Sequence, residues 1–309
     1  MSTEKILIIG SQGQIGLELS EVLRNNYGHD NVVCADVKEV ENPVGPYEKL
    51  DAMDRQGMYE VIKKHGISQV YLLAALLSAT AEKFPQKGWN LNMETLFTCL
   101  ELAREGHIKK LYWPSSIAVF GPTTPSENTP QATVTEPSTI YGISKFAGER
   151  WCEWYHLKHG VDVRSLRYPG LISYSSPPGG GTTDYAVDIF HKAKAEGKYT
   201  SFLSAQTALP MMYMPDAIRA TLELMDAPAE QVKQRGSYNV ASLSFSPEEL
   251  SNAIQKQIPH FQISYEPDFR QQIADSWPKS IDDSAARNDW GWKPHFDLDG
   301  MVNDMLAHI

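Results

Sequence analysis

Tyr141 and Lys145 stand four residues apart in Tyr141-Gly142-Ile143-Ser144-Lys145. On an α-helix that spacing projects both side chains from one face. A phenol titrates near ~10 and is a poor proton acceptor at neutral pH, but an adjacent ammonium favours the phenolate and makes a base of it. Upstream, the apolar run Leu111-Tyr112-Trp113 closes on Pro114-Ser115-Ser116, so a strand end would carry the Ser116 hydroxyl to hold a substrate hydroxyl during deprotonation. Tyr59 and Lys63 share the spacing, on what reads as an exposed helix face after Asp54. Context separates the two pairs, because only Tyr141 follows a Ser-Ser pair at a strand end.

The elements that must position these groups are legible from the start of the chain. Lys5-Ile6-Leu7-Ile8-Ile9 is a continuous apolar run suited to a strand buried on both faces of a parallel sheet. Gly10-Ser11-Gln12-Gly13-Gln14-Ile15-Gly16 follows, and Ile15, Leu19, Val22 and Leu23 then repeat with helical period. The glycines therefore fall where a strand becomes a helix N-terminus, whose amides can receive a pyrophosphate; a tight turn is the plainer alternative. Val32 to Ala35 forms a second strand ending in Asp36, twenty residues beyond Gly16. An acid there accepts from the adenosine ribose hydroxyls and repels a 2′-phosphate, which favours NAD over NADP. Asp51-Ala52 fits either an adenine contact or a helix N-cap. Val70 to Ala75 is a further buried strand with small terminal residues, Ser78 lies in the loop beyond it, and Asn90 to Arg104 reads as a helix. Asn92 at that helix's start is placed to hydrogen-bond active-site backbone.

Composition narrows the function classes. The chain has 309 residues, 42% hydrophobic and 21% charged, with no linker or internal repeat. A net charge of −10 argues against nucleic-acid or anionic-membrane surfaces and against a polyanionic substrate. Cys34, Cys99 and Cys152 are odd in number and unpaired in spacing, so buried free thiols in a reducing compartment are expected. The first residues lead into a strand without the apolar core of a signal peptide, and the run Val70 to Leu77 is too short to span a bilayer. A cytoplasmic protein is expected. The nine histidines show no ligand spacing, so no metal site is expected.

Taken in order, Gly10 to Gly16, Asp36, Ala74-Ala75, Asn92, Ser116 and Tyr141 with Lys145 resemble the extended short-chain dehydrogenases, a family known for nucleotide-sugar epimerases. The resemblance continues through Leu166-Arg167-Tyr168, Asp216, Asp282 and Trp290-Gly291-Trp292-Lys293-Pro294. It implies a doubly wound parallel α/β sheet of the Rossmann type, with residues 1–169 as the dinucleotide-binding domain, to whose sheet the chain later returns, and 170–309 as mainly a smaller C-terminal substrate lobe and lid. It implies Tyr141 as base, Lys145 as its activator and ribose contact, and Ser116 as hydroxyl binder. By the same resemblance NAD is contacted by Gly10, Gly13, Gln14, Ile15 and Gly16, by Asp36, Asp51 and Ala52, and by Leu73, Ala74, Ala75 and Asn92. Tyr168, Pro169 and Leu171 complete that set. A homodimer formed through the helices near 90–105 and 141–159 is also implied.

The departures from the nucleotide-sugar enzymes matter for substrate. Their Asn after Arg-Tyr-Phe is replaced in Arg167-Tyr168-Pro169-Gly170, and the stretch Leu209 to Met214 presents nothing cationic for a diphosphate. The runs Ala74 to Ala79, Trp113 to Pro122, Pro177 to Tyr185 and Asp275 to Pro278 are instead similar to the short-chain-type L-threonine 3-dehydrogenases. That resemblance implies NAD-dependent oxidation of a β-hydroxyl without metal. Gly180, Gly181 and Thr182 would cradle a small carboxylate, with Ser78 as a further donor and Asp184 facing an ammonium. Each has a plainer alternative: a flexible glycine loop, an N-cap at Asp184, and simple packing at Trp277, which is also assigned to the substrate side. The glycines beside a helix start suit a lid that excludes water.

Overall fold

The computed structural model describes residues 4–175 and 181–309. It divides into two compact units: Met1–Ser115, Thr139–Leu166 and Leu224–Ser237 form the first, and Ser116–Ser138, Arg167–Glu223 and Tyr238–Ile309 the second.

The first unit is built in β-α alternation. Strand β1 (Ile6–Ile9) leads to helix α1 (Gln14–Tyr27), β2 (Val32–Asp36), β3 (Tyr47–Lys49), α2 (Arg55–His65) and β4 (Gln69–Leu72). Helices α3 (Ser78–Lys83) and α4 (Pro85–Arg104), strand β5 (Lys110–Tyr112), the short β6 (Ser115–Ser116), whose second residue opens the second unit, helix α5 (Ile140–His159) and β7 (Val163–Arg164) follow. Six strands pair in parallel in the order β3-β2-β1-β4-β5-β7. The chain thus winds outward from β1 in one direction, returns, and winds outward in the other. The reversal between β1 and β4 opens a crevice at the carboxyl ends of the strands, where open α/β sheets bind ligands. Ile6 to Ile9 are all buried, as a strand covered on both faces requires. Leu7, Val33, Val70, Leu96, Leu111 and Val163 belong to one continuous core.

Helix α4 begins at Pro85, earlier than the expected Asn90, because Pro at the first helical turn sacrifices no intrahelical bond. Tyr59 is half-buried rather than exposed: it packs against the core and meets His107 edge-on at 4.9 Å, while Lys63 remains exposed. The cap of α2 is Asp54, whose carboxylate accepts from the Gly57 amide at 2.9 Å.

The second unit has its own core of Ile172, Phe190, Met211, Phe245, Ile254 and Met305. It contains β9 (Gly170–Ile172), after β8 (Leu166–Tyr168), then α6 (Tyr185–Glu196), β10 (Lys198–Ser201) and β11 (Leu209–Tyr213). Later come α7 (Met214–Asp226), β12 (Tyr238–Asn239), β13 (Leu243–Phe245), α8 (Pro247–Gln255) and β14 (Gln262–Tyr265), with three short helices to the C-terminus. Strand β11 pairs in parallel with β9 and antiparallel with β13. The capping box expected at Ser246 and Glu249 is formed, with both reciprocal bonds present.

Candidate active site

At the end of β1, Gly10 adopts φ +86°, and a Cβ there would lie 2.6 Å from the Ala74 amide nitrogen. Only glycine satisfies both the turn and the close approach of the β4 exit. Gly13 is different: a Cβ there would meet only the Gly10 carbonyl oxygen, at 3.4 Å, so its outer side is open to a ligand. Gly13 caps the 14-residue α1 with no side-chain cap bond, and the first turn carries no acidic residue. The positive helix end at Gln14, Ile15 and Gly16 is left to an anion from outside, and the residues present fit a dinucleotide pyrophosphate.

Asp36 closes β2, buried, with its carboxylate fixed by two amides. Oδ2 accepts from Gln12 at 2.9 Å and Oδ1 from Lys38 at 3.1 Å. The acid is therefore tied to the glycine loop itself. Asp51 is exposed and accepts from the Met53 amide at 2.9 Å, and neighbouring Ala52 is buried. With Asp54 as the cap of α2, Asp51 is not that helix's N-cap. Leu73 and Ala74 donate their amides to the Ile9 carbonyl at 2.8 and 3.0 Å, and Leu73, Ala74 and Ala75 are half-buried.

Asn92 is 3% exposed, and its side-chain amide is engaged at both ends. Oδ1 accepts from the Leu76 amide at 2.8 Å, while Nδ2 donates to the Leu76 carbonyl at 3.1 Å and to the Ser144 hydroxyl at 3.2 Å. It ties the backbone after Ala75 to the helix of Tyr141, which is how it bears on the site. Ser78 is half-buried at the start of α3.

Helix α5 starts at a side-chain cap, Thr139, whose hydroxyl accepts from Gly142 at 3.0 Å. Tyr141 is half-buried in its first turn. One turn on, Lys145 is 3% exposed; its Nζ donates to the Pro114 carbonyl at 2.6 Å and lies 5.5 Å from the Tyr141 ring centroid. The same Nζ lies 4.4 Å from the Trp113 ring centroid, within cation–π range. Burial pushes the Lys145 ammonium down to about 7, against the upward pull of the Glu149 carboxylate. The sheet end thus supplies a carbonyl and an aromatic face to a cation that water does not reach. An ammonium at this range stabilises negative charge on the tyrosine oxygen.

Within the second unit, Ser116 caps the 3-10 turn of Ile117–Val119, its Oγ accepting from Ala118 at 3.2 Å, and is half-buried. Tyr168 and Pro169 are buried, Leu171 is half-buried in β9, and the Tyr168 hydroxyl bonds that of Thr221. Gly180 lies outside the described residues. Gly181 donates its amide to the Asp184 carboxylate at 2.7 Å, and Thr182 is buried. Asp184 precedes α6 without capping it by its side chain; its carboxylate turns back to the glycine segment. Trp277 is half-buried and packs against the core of this unit.

The first unit thus brings together the glycine loop, Asp36, Leu73 to Ala75, Asn92, Tyr141 and Lys145. Sequence reasoning missed Trp113 as the face beneath the lysine, and Gly148, where a Cβ would lie 2.4 Å from Trp113 Cη2. It also missed Glu149, although its position four residues beyond Lys145 was a readable signal. The three thiols are buried and free, as expected. Among the described residues, no helix is long and apolar enough to cross a membrane.

The chain is similar to known proteins over nearly its whole length. Residues 6–241 match the model of the NAD dependent epimerase/dehydratase family. The chain is 48% identical to an uncharacterized epimerase/dehydratase of Staphylococcus saprophyticus over 311 aligned residues, covering 99% of this chain and 97% of that one. Among solved structures it is similar to the GalE-like L-threonine dehydrogenase of Cupriavidus necator in its holo form, at 61% identity and TM-score 0.97, covering 98% and 99% of the two chains. A monomeric L-threonine 3-dehydrogenase from a metagenome is 47% identical with TM-score 0.94, covering 98% and 97%. The chain belongs to the NAD dependent epimerase/dehydratase family, and NAD is its cofactor.

Proposed function

We propose that this member of the NAD dependent epimerase/dehydratase family oxidises the 3-hydroxyl of L-threonine to give L-2-amino-3-oxobutyrate. The observation that carries the chemistry is the buried Lys145 ammonium held 5.5 Å from the Tyr141 ring on one helix face. The likeness to L-threonine dehydrogenases over nearly the whole chain carries the choice of substrate.

In this reading Tyr141 takes the hydroxyl proton, and Lys145 offsets the charge on its oxygen and contacts the cofactor ribose. Ser116 orients the hydroxyl. NAD, when bound, supplies the acceptor for the hydride that leaves the β-carbon, so the C–O bond becomes a carbonyl with no metal required. The amides of Gln14 to Gly16 hold the pyrophosphate and Asp36 the ribose hydroxyls. Gly10 and Gly13 shape the loop, Asp51 and Ala52 border the adenine, and Leu73 to Ala75, Asn92, Tyr168, Pro169 and Leu171 complete the cofactor set. Gly180, Gly181, Thr182 and Ser78 are assigned to the substrate carboxylate, Asp184 to its ammonium and Trp277 to the substrate side.

A nucleotide sugar is the competing substrate class within the family. Strand β11, Leu209 to Tyr213, speaks against it, since all five residues are buried and none is cationic. The experiment is NADH formation with L-threonine measured beside UDP-galactose under identical conditions. Turnover of the amino acid alone supports the reading, and turnover of the sugar alone overturns it.

The same proposal includes a homodimer through α4 and α5. On α5, Trp151 and Trp154 are about two-fifths exposed and Leu157 more so, and Phe97 of α4 meets Trp151 edge-on at 5.0 Å. Exposed aromatic clusters of this kind mark association surfaces. Sedimentation at micromolar concentration decides: a single monomeric species would contradict the dimer. A cytoplasmic location is also proposed, supported by the three buried free thiols.

A further inference from the structure

Glu149 lies one helical turn beyond Lys145 and has no part in the chemistry proposed above. It is 0% exposed, and its Oε1 accepts from the Ser115 hydroxyl at 2.6 Å. Carboxylates are rarely buried to this degree without a partner that needs them. Pro114 and Ser115 are consecutive at the sheet end, and each is tied to α5 by a different charged side chain. Lys145 holds the Pro114 carbonyl and Glu149 holds the Ser115 hydroxyl. The next residue is Ser116. Two opposite charges four positions apart therefore clamp the strand end from which the hydroxyl-binding serine emerges.

Several charged and polar groups lie around the pair. From α5 come Tyr141, Glu149 and Cys152, from the sheet end the Trp113 ring, the Pro114 carbonyl and the Ser115 hydroxyl, and from α4 the Asn92 amide, which bonds Ser144. Burial pushes the Cys152 thiol up, so it is neutral at ordinary pH. Arg150 turns to Glu153 at 2.7 Å, and Gly236 brings backbone against Glu149, where a Cβ would lie 3.8 Å from that of Glu149. Residues four apart on a helix are neighbours, so in a site from which water is excluded a carboxylate at Glu149 acts on the Lys145 ammonium.

We propose that Glu149 is a positioning residue: its carboxylate balances the Lys145 ammonium, and its bond to Ser115 sets the strand end that presents Ser116. Substrate identity enters only through the proposed dehydrogenase reading, whereas the effect on the cofactor does not depend on it.

The test measures NAD affinity by tryptophan fluorescence from pH 6 to 9 for the wild type, Glu149→Gln, Glu149→Asp and Ser115→Ala, together with L-threonine turnover. Glu149→Gln keeps an acceptor for Ser115 and removes the charge. Its NAD affinity is expected to fall away at a pH about one unit lower than in the wild type, making binding about tenfold weaker near pH 8. Glu149→Asp is expected to recover most of that loss. Ser115→Ala is expected to keep the wild-type pH profile of NAD binding while kcat falls. A Glu149→Gln profile that superimposes on the wild type, or is displaced equally at every pH, overturns the proposal. Should Glu149→Gln not fold, a Ser115→Ala profile that shifts along the pH axis overturns it equally, because the charge is then not the agent. Wild-type protein inert toward L-threonine but showing the Glu149-dependent NAD profile would overturn the substrate reading alone.

Discussion

The Lys145 ammonium sits 4.4 Å from the centroid of the Trp113 ring, and the α5 backbone at Gly148 is close enough that a Cβ would lie 2.4 Å from the same ring. One indole thus sets both the depth of the lysine and the distance between α5 and the sheet. Gly148→Ala must push the ring or the helix away. It is expected to destabilise the protein by about 1–3 kcal/mol through overpacking. Activity should fall further than that stability loss explains, since Lys145 moves with the ring. Thermal unfolding beside kcat checks this; unchanged stability and turnover would show that Trp113 yields freely.

Tyr141→Phe keeps the ring and removes the proton acceptor. A fall in kcat of roughly 10²–10⁴-fold is expected, with NAD binding largely retained. Lys145→Met should weaken NAD as well as turnover. Substantial activity in Tyr141→Phe would mean that another group takes the proton.

Asp36→Ala removes the carboxylate that the amides of Gln12 and Lys38 hold in place. The preference for NAD over NADP should narrow, because the ribose acceptor and the charge repelling a 2′-phosphate go together. The ratio of kcat/KM for the two cofactors reads it. An unchanged ratio would place Asp36 away from the ribose.

The pH dependence of cofactor binding follows from Lys145. Its folded-state value is lowered from 10.5 to about 7, so in the cofactor-free protein the ammonium is present below that value and is lost as pH rises through it. If the ribose bonds the charged form, NAD affinity falls above about pH 7, by up to about tenfold per unit. Equilibrium titration across pH 6 to 9 measures this, and a flat profile would separate Lys145 from the ribose.

Strong local signals made much of this legible in the sequence. The uninterrupted apolar run at Ile6 to Ile9, the glycines at its end and the carboxylate ending Val32 to Asp36 each follow from backbone needs that few residues meet, and all lie where they were expected. The Tyr141 and Lys145 pair was readable from helical spacing together with the Ser-Ser strand end that precedes it. What period cannot report is which neighbour a buried side chain meets across an element. Trp113 beneath Lys145, Glu149 on Ser115 and the Asn92 amide bonded to Ser144 join residues up to 52 positions apart. Tyr59 misled because its exposure was judged from the helix alone, before the core and His107 were in place.

NADH formation with β-hydroxy amino acids decides the substrate. L-Threonine should be turned over, with L-serine slower because its missing methyl forfeits about 1–3 kcal/mol of pocket contact. L-allo-Threonine should be poor, since inverting the β-carbon takes either the hydroxyl from Tyr141 or the hydrogen from the nicotinamide. UDP-galactose should give no reaction. Equal rates for L-threonine and L-allo-threonine, or faster reaction with the UDP-sugar, would contradict the assignment.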